Sequence, residues 1–96
     1  MPAKPVGDWF VYIVRCKDDT LYTGISTDPQ AREKEHNEGR AAARYTRSRR
    51  PVRLVYTETV SCRSTALKRE HAIKQLDRRD KLALIKGLKT NPRRAD

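Results

Sequence analysis

A carboxylate on an amphipathic stretch in the second half of the chain is the residue best placed to do chemistry. On a helix, at about 100° per residue, Glu70 falls within the arc defined by Ala66, Leu67 and Ile73, which must pack against a core. An ionised carboxylate at the border of a core is costly unless a cation or hydrogen bonds compensate it. We therefore expect Glu70 to have either an arginine partner or a metal ion, and its position alone favours the arginine.

An arginine and a histidine stand four residues apart in a stretch that is almost free of apolar residues. Arg32 and His36 share one face of a helix, so they could present a guanidinium fork and an imidazole to the same phosphate. Ala31 is the only apolar residue from Gln30 to Glu38, so burial of apolar surface cannot hold this helix. The pattern indicates either a functional polar face or a charge-paired surface helix.

Two tyrosines occupy neighbouring segments that are rich in β-branched and aromatic residues. In most proteins Tyr12 and Tyr22 would be ordinary strand tyrosines. Gly24 follows Tyr22 by two positions and so shares its face, and a glycine inside a strand often marks the close approach of a ligand or another backbone. We expect that something needs room at Gly24, and we assign it to nucleic-acid binding.

The elements that must position these residues are predicted in the order β-β-α-β-α-α. The first strand is apolar on both of its faces, which is typical of a strand covered on two sides, and the first two strands form a hairpin. Along the third strand, Val52, Leu54 and Tyr56 are predicted to share one side. The predicted strands are Trp9 to Arg15, Leu21 to Ile25 and Val52 to Val60, and the predicted helices are Gln30 to Glu38, Ala66 to Leu76 and Lys81 to Leu88.

This order predicts a single small α/β (α+β) domain, a three-stranded antiparallel sheet flanked by helices, over residues 8–88. Residues 1–7 and 89–96 are predicted to be flexible termini. With 96 residues the chain has too little apolar material for two cores.

A basic segment, residues 39–51, joins the first helix to the third strand. It is longer than most connections, which favours a functional loop. Its tyrosine could stack on an exposed base, although an aromatic residue in a basic loop is also packing material. The residues of this segment that we assign to nucleic-acid binding are Arg40, Arg44, Tyr45, Arg47, Arg49 and Arg50.

The charge of the chain favours a polyanionic partner. Lysine and arginine number 22 against 12 acidic residues, which gives a formal charge of +10 and makes nucleic acid the first candidate. The alternative is a solvated basic surface that binds nothing in particular. The first apolar stretch, Trp9 to Val14, is too short for a membrane span, so we expect no membrane partner. Cys16 and Cys62 match no disulfide framework or metal spacing, which predicts reduced thiols and a cytoplasmic location.

Taken together, these residues resemble the GIY-YIG family in both order and spacing. The resemblance is carried by Phe10-Val11-Tyr12, by Tyr22-Thr23-Gly24 about ten residues later, by Arg32 with His36, and by Glu70. It extends over most of residues 9–87, and residues 36–58 (HNEGRAAARYTRSRRPVRLVYTE) are similar to the small stand-alone bacterial members.

The chain departs from the family pattern at three positions of the two signature triplets. Phe10-Val11-Tyr12 replaces Gly-Ile-Tyr, and Tyr22-Thr23-Gly24 replaces Tyr-Ile-Gly. The asparagine that many members carry on the helix after the glutamate is absent from Lys81 to Leu88.

The resemblance implies a role for each matched residue. Glu70 would bind one divalent ion, Mg²⁺ or Mn²⁺, and Arg32 would hold the scissile phosphate. Tyr12 would help to activate the attacking water, Tyr22 would position the phosphate, and His36 would belong to the proton and phosphate network. Since a phenol titrates near pH 10, we expect the cationic surroundings to lower the pKa of Tyr12.

The function predicted from these residues is that of a metal-dependent endonuclease or nickase acting on DNA with low sequence specificity. Branched, flapped or single-stranded DNA would suit the arginine-rich segment, in repair or processing. The alternative is a nucleic-acid-binding module that grips DNA or RNA with weak or vestigial catalysis. A protein-interaction role is a third possibility, for which the sequence offers no docking surface.

Overall fold

The computed structural model describes residues 8–39 and 44–87, and the predictions for both termini and for Arg40 lie outside this part of the chain. The predicted order of strands and helices is confirmed, with one short helix added inside the basic segment. The elements are β1 (Trp9–Arg15), β2 (Leu21–Ser26), α1 (Pro29–Glu38), α2 (Arg44–Arg47), β3 (Arg53–Val60), α3 (Arg63–Lys74) and α4 (Arg78–Ile85).

The three strands form one antiparallel sheet in the order β2-β1-β3. The hairpin between β1 and β2 turns at Asp18 and Asp19. The Asp18 carboxylate accepts hydrogen bonds from the backbone N–H and the hydroxyl of Thr20. Asp19 adopts φ 71°, a left-handed conformation that aspartate tolerates better than most residues. The resulting register places Tyr12 directly opposite Gly24.

Strand β1 is covered on both faces, as its sequence predicted. Val11 and Ile13 are fully buried on one face, in a cluster with Ala66 and Ile73 of α3. The alternate residues, among them Tyr12, are buried on the other face, on the side of α1. Because neighbouring residues of a strand point to opposite faces, one short strand supplies the centre of both core layers.

Strand β3 does not keep the simple alternation that its sequence predicts. Val52 and Leu54 pack with Tyr12, but Tyr56 packs against the Val11 and Ile13 cluster on the other face. The cause is an irregularity in the ladder, where Val14 pairs with Leu54 while its neighbour Ile13 pairs with Tyr56. The extra residue shifts the face on which the following side chains lie. The prediction that Val52, Leu54 and Tyr56 share one side is therefore wrong for Tyr56.

Helix α1 is held to β3 by polar bonds, in agreement with its lack of apolar residues. Its N-terminus is capped by the Asp28 carboxylate, which accepts from the Ala31 N–H. The Asn37 amide makes two hydrogen bonds with the backbone of Val52, donating to its carbonyl at 2.9 Å and accepting from its N–H at 2.6 Å. Glu33 accepts from the Leu54 N–H at 2.6 Å. Side chains one turn apart on α1 thus satisfy backbone groups at the start of the outer edge of β3.

The two C-terminal helices each begin three residues earlier than predicted, at Arg63 and at Arg78. Their first turns are polar and carry no apolar periodicity, so the sequence pattern starts only where the packing face starts. Both cysteines are free, as predicted, with Cys16 buried and Cys62 exposed. Within residues 8–39 and 44–87, every helix is too short or too polar to cross a bilayer.

Candidate active site

A chain of three buried side chains links β1, α1 and α2. The hydroxyl oxygen of Tyr12 lies 2.8 Å from Nε2 of His36, and Nδ1 of the same ring lies 2.7 Å from Oγ1 of Thr46. Tyr12 is 1% exposed, and His36 and Thr46 are fully buried. Because buried polar atoms must be hydrogen-bonded, this geometry fixes all three side chains.

Burial sets the protonation of this chain. The pKa of His36 is lowered to about 4, chiefly by burial and then by the positive charge of Arg32, so the imidazole is neutral at pH 7. The pKa of Tyr12 is raised to about 12, chiefly by burial, although a hydrogen bond from Arg32 opposes this. The expectation that cationic surroundings lower the pKa of Tyr12 is therefore wrong for the free protein, because desolvation outweighs the arginine.

Arg32 and His36 do not face solvent together, which corrects the prediction of a shared phosphate-binding surface. Arg32 is partly exposed and pairs with the Glu35 carboxylate one turn along α1. His36 points into the core instead. Arg32 is nevertheless connected to His36 through Tyr12, which both residues contact. The two residues therefore belong to one site, with only the arginine at its surface.

Gly24 gives room to Tyr12 rather than to a ligand. A β-carbon at Gly24 would lie 2.5 Å from the Tyr12 hydroxyl oxygen and 2.7 Å from Cζ of the ring. Such contacts are too short for any side chain, so the phenol fills the space that the glycine leaves. The prediction that something needs room here holds, but the occupant is Tyr12 and not nucleic acid.

Tyr22 lies at the junction between this buried chain and the basic segment. Its ring packs edge-on against His36, with centroids 5.4 Å apart, and stacks on Tyr45 at 5.7 Å. The guanidinium of Arg49 lies 3.9 Å from the centroid of the same Tyr45 ring. Tyr45 is 38% exposed, but with these two contacts its ring is already engaged, which corrects the prediction of a ring free to stack on a base.

Two of the arginines assigned to nucleic acid instead hold the basic segment in place. Arg50 donates to the carbonyl oxygens of His36 and Gly39 at 2.5 and 2.7 Å, and so closes the C-terminus of α1. Arg49 pairs with Asp18 of the hairpin turn at 2.9 Å. Arg44 and Arg47 are exposed on α2, where a phosphate could reach them. Of the four predicted arginines that lie within the described residues, these two are the ones whose placement suits the assigned role.

Glu70 lies on α3 and has a lysine rather than an arginine as its ion-pair partner. Its carboxylate is 18% exposed and lies 3.2 Å from Nζ of Lys74, one turn along the helix. The partial burial of Glu70 predicted a cationic partner, and that partner is Lys74 instead of an arginine. After burial and Tyr22, the charge of Glu70 is a smaller cause of the raised pKa of Tyr12.

The residues around Glu70 suit a divalent ion bound by one carboxylate better than an ion enclosed by several protein side chains. Among residues 8–39 and 44–87, no group of three or more histidine, cysteine, aspartate or glutamate side chains could enclose a metal. Mg²⁺ typically binds through one or two carboxylates, with waters and substrate phosphate completing its shell. A single carboxylate such as that of Glu70 suits that arrangement.

Sequence reasoning missed Thr46, Glu35 and the two residues that hold α1 against β3. Thr46 lies in a segment that was predicted to be a loop, and no periodic pattern there indicates a buried position. Glu33 and Asn37 stand four apart and share a face, as do Arg32 and His36. The repeated spacing of four residues indicates that α1 uses two faces, one with Arg32 and His36 and one with Glu33 and Asn37.

Comparison with known proteins finds a matching family and similar proteins. Residues 8–83 match the family described as the GIY-YIG catalytic domain. A UPF0213 protein of Desulfotalea psychrophila is 62% identical over 79 residues, which cover 82% of this chain and 72% of that protein. A UPF0213 protein of Syntrophus aciditrophicus is 51% identical over 85 residues, covering 88% of this chain and 94% of the relative.

Two solved structures are similar in both sequence and fold. The solution structure of a UPF0213 protein from Bacillus halodurans is 41% identical with a TM-score of 0.54, and covers 90% of this chain and 89% of that one. The solution structure of a protein from E. faecalis is 33% identical with a TM-score of 0.56, and covers 91% and 90%.

Proposed function

Because this chain belongs to the GIY-YIG family, a family of nucleases, we propose that it is a cytoplasmic, metal-dependent endonuclease or nickase that hydrolyses DNA phosphodiester bonds. The observation that supports this most is the convergence of Tyr12, His36 and Arg32. Residues from β1 and α1 meet there, and the arginine remains partly exposed to bind an anion.

Phosphodiester hydrolysis needs an activated water, compensation of the charge that develops on the phosphoryl oxygens, and help for the leaving oxygen. Arg32 would hold the phosphate, since a guanidinium can donate two parallel hydrogen bonds to it. Glu70 would hold one Mg²⁺ or Mn²⁺ ion, which when bound supplies Lewis-acid stabilisation of the phosphoryl charge. Tyr12 would orient the attacking water through its hydroxyl, and Tyr22 would help to position the phosphate.

Two ion pairs must exchange before substrate can bind in this way. Glu35, the partner of Arg32, is 40% exposed, and Lys74, the partner of Glu70, is 49% exposed. The other partners, Arg32 at 25% and Glu70 at 18% exposed, are partly buried and need an opposite charge. A phosphate can replace Glu35 on Arg32, and a divalent ion can replace Lys74 on Glu70, because each exchange keeps the partly buried charge compensated.

We propose low sequence specificity and a preference for branched, flapped or single-stranded DNA, as in repair or processing. Support comes from the charge of +10 and from the exposed Arg44 and Arg47 beside the site, which suit backbone contacts rather than base contacts. Stacking of an unpaired base on Tyr45 would first require Arg49 to leave that ring. RNA offers the same phosphate chemistry.

The second candidate function is a nucleic-acid-binding module with weak or vestigial catalysis. It is favoured by the burial of Tyr12, which is 1% exposed, and by its pKa of about 12. Both functions predict that affinity falls with the logarithm of salt concentration, by about 0.9 for each duplex phosphate neutralised. Only the nuclease function predicts that cleaved DNA is formed.

The experiment incubates the purified protein with supercoiled plasmid and with flapped oligonucleotides, in Mg²⁺, in Mn²⁺ and in chelator. We expect nicked or linear product with metal, and loss of cutting in Glu70→Ala, Arg32→Ala and Tyr12→Phe. Glu38→Ala removes an exposed carboxylate from α1 and is the matched control. Cutting that persists unchanged in Glu70→Ala would refute the metal-nuclease assignment, and binding without any product would favour the second function.

A further inference from the structure

Thr46 contacts the ring nitrogen of His36 that faces away from Tyr12. Its Oγ1 lies 2.7 Å from Nδ1, and both residues are fully buried. We infer that Thr46 is a positioning residue, whose hydroxyl accepts the Nδ1–H bond of His36 and so fixes the tautomer in which Nε2 accepts the proton of Tyr12. This inference rests on the proposed function for its catalytic meaning, but the tautomer itself is independent of any cutting.

The direction of the two bonds follows from the donors around Tyr12. A guanidinium can only donate, so in the hydrogen bond between Arg32 and Tyr12 the phenol oxygen is the acceptor. The single phenol proton then points elsewhere, and Nε2 of His36 lies 2.8 Å away. A neutral imidazole has one donor and one acceptor nitrogen, so an accepting Nε2 leaves the proton on Nδ1. Thr46 is the side chain that meets that proton.

This arrangement gives the water proton a defined route. As water attacks, one of its O–H bonds breaks and the proton passes to the Tyr12 oxygen, while the phenol proton passes to Nε2 of His36. The water oxygen forms the new bond to phosphorus, and the bond from phosphorus to the leaving oxygen breaks. The leaving oxygen takes a proton from solvent, and His36 later returns its proton through Tyr12. The sum is the addition of one water to the phosphodiester.

The route explains how a neutral tyrosine can serve in water activation. Tyr12 needs no preformed phenolate, because it gives up one proton as it receives another. His36 carries the positive charge only during the step, with both ring nitrogens donating and Thr46 accepting from one of them, because its pKa of about 4 favours return of the proton at pH 7. A hydrogen bond to one nitrogen that sets the role of the other is a known feature of working histidines.

The position of Thr46 also connects the basic segment to the chemistry. It lies on α2 between Tyr45 and Arg47, and its carbonyl accepts from the Arg49 N–H. Any shift of α2 that withdraws the hydroxyl would release the tautomer of His36. The basic segment, which carries the exposed arginines, therefore also keeps His36 in the Nδ1–H tautomer, in which Nε2 can accept a proton.

The test reads the tautomer directly, by two-bond ¹H–¹⁵N correlation NMR of the imidazole rings in the full-length protein. We expect the Nδ1–H form of His36 in the wild type and in Thr46→Ser. In Thr46→Val, which keeps the shape but loses the acceptor, we expect the Nε2–H form to become populated. Plasmid cutting should fall about 10- to 100-fold in turnover in Thr46→Val, with KM little changed, and Thr46→Ser should recover most of it.

Two results would overturn the inference. One is an Nε2–H tautomer in the wild type, which can be read even if Thr46→Val does not fold. The other is an unchanged Nδ1–H tautomer in a folded Thr46→Val. Thr59→Val, an exposed threonine on β3, controls for the substitution itself. If the wild type shows the Nδ1–H tautomer but cuts no substrate, the proposed function fails while the positioning role of Thr46 stands.

Discussion

Gly24 and Tyr12 face each other across β1 and β2, and a β-carbon at Gly24 would lie 2.5 Å from the phenol oxygen. We expect Gly24→Ala to destabilise the protein by about 1–3 kcal/mol, because the ring must move in a packed interior. The displaced phenol would also lose its bond to His36. Urea unfolding gives the stability, and the NMR signals of the His36 ring report the bond.

The cause of that destabilisation can be separated from a general effect of alanine in a strand. In a Tyr12→Leu background the ring is gone, so adding Gly24→Ala should cost clearly less than it does in the wild type. Equal costs in the two backgrounds would show that Tyr12 is not what requires the glycine.

His36 is expected to make the protein sensitive to acid. Its pKa is lowered to about 4 in the folded state from an ordinary value of 6.5, so between these values the unfolded chain binds more protons. The free energy of unfolding therefore has its full value above pH 6.5 and decreases as the pH falls towards 4. The total decrease due to His36 is on the order of 3 kcal/mol. Urea unfolding from pH 7.5 to 4 measures it.

A direct check of the same prediction is the NMR titration of the two histidine rings. The His36 ring should remain neutral down to about pH 5. His71→Gln removes the other histidine of the chain, so the ring signals that remain belong to His36. A wild-type His36 that titrates near pH 6.5 contradicts the assigned environment.

Removal of Arg47 is expected to change DNA binding, whereas removal of Arg50 is expected to change stability. Arg47 is exposed, so Arg47→Ala should leave stability unchanged and reduce the slope of log affinity against log salt by about 0.9 for duplex DNA. Arg50 bonds two backbone carbonyls, so Arg50→Ala should cost about 1–3 kcal/mol in urea unfolding. The reverse pattern would show that Arg50 binds DNA and that Arg47 supports the fold.

Asn37 is expected to contribute as much stability as a core residue. Asn37→Ala leaves both the N–H and the carbonyl of the buried Val52 without their partner, which should cost about 1–3 kcal/mol. Amide exchange at Val52 should accelerate in the same variant. Gln30→Ala, an exposed position on the same helix, is the control and should change neither quantity.

The strands and the place of Glu70 were predictable because apolar periodicity records burial. Trp9–Arg15 is apolar on both faces and is covered on both, and Glu70 borders the core beside the buried Ala66 and Ile73. Leu67, the third residue of the predicted packing arc, is 39% exposed, so that part of the prediction is wrong. The two later helices were found from their apolar faces alone, so their polar first turns were missed.

The buried state of His36 was not predictable from the same patterns. A histidine among charged residues resembles a surface residue, and only the tertiary structure shows that Tyr12 and Thr46 satisfy both of its ring nitrogens. The raised pKa of Tyr12 was missed for a related reason. The net charge of the chain is visible in its sequence, whereas desolvation depends on which side chains surround the phenol.

The outer edge of β3 has a further consequence for how copies of this chain meet. An uncovered strand edge is a template on which another molecule can add a strand, and this is a common start of aggregation. The N–H groups of Val52 and Leu54, at the start of that edge, are already occupied by Asn37 and Glu33. The side chains that dock α1 therefore also cover the start of this edge, where the N–H groups would otherwise be open to pairing with another strand.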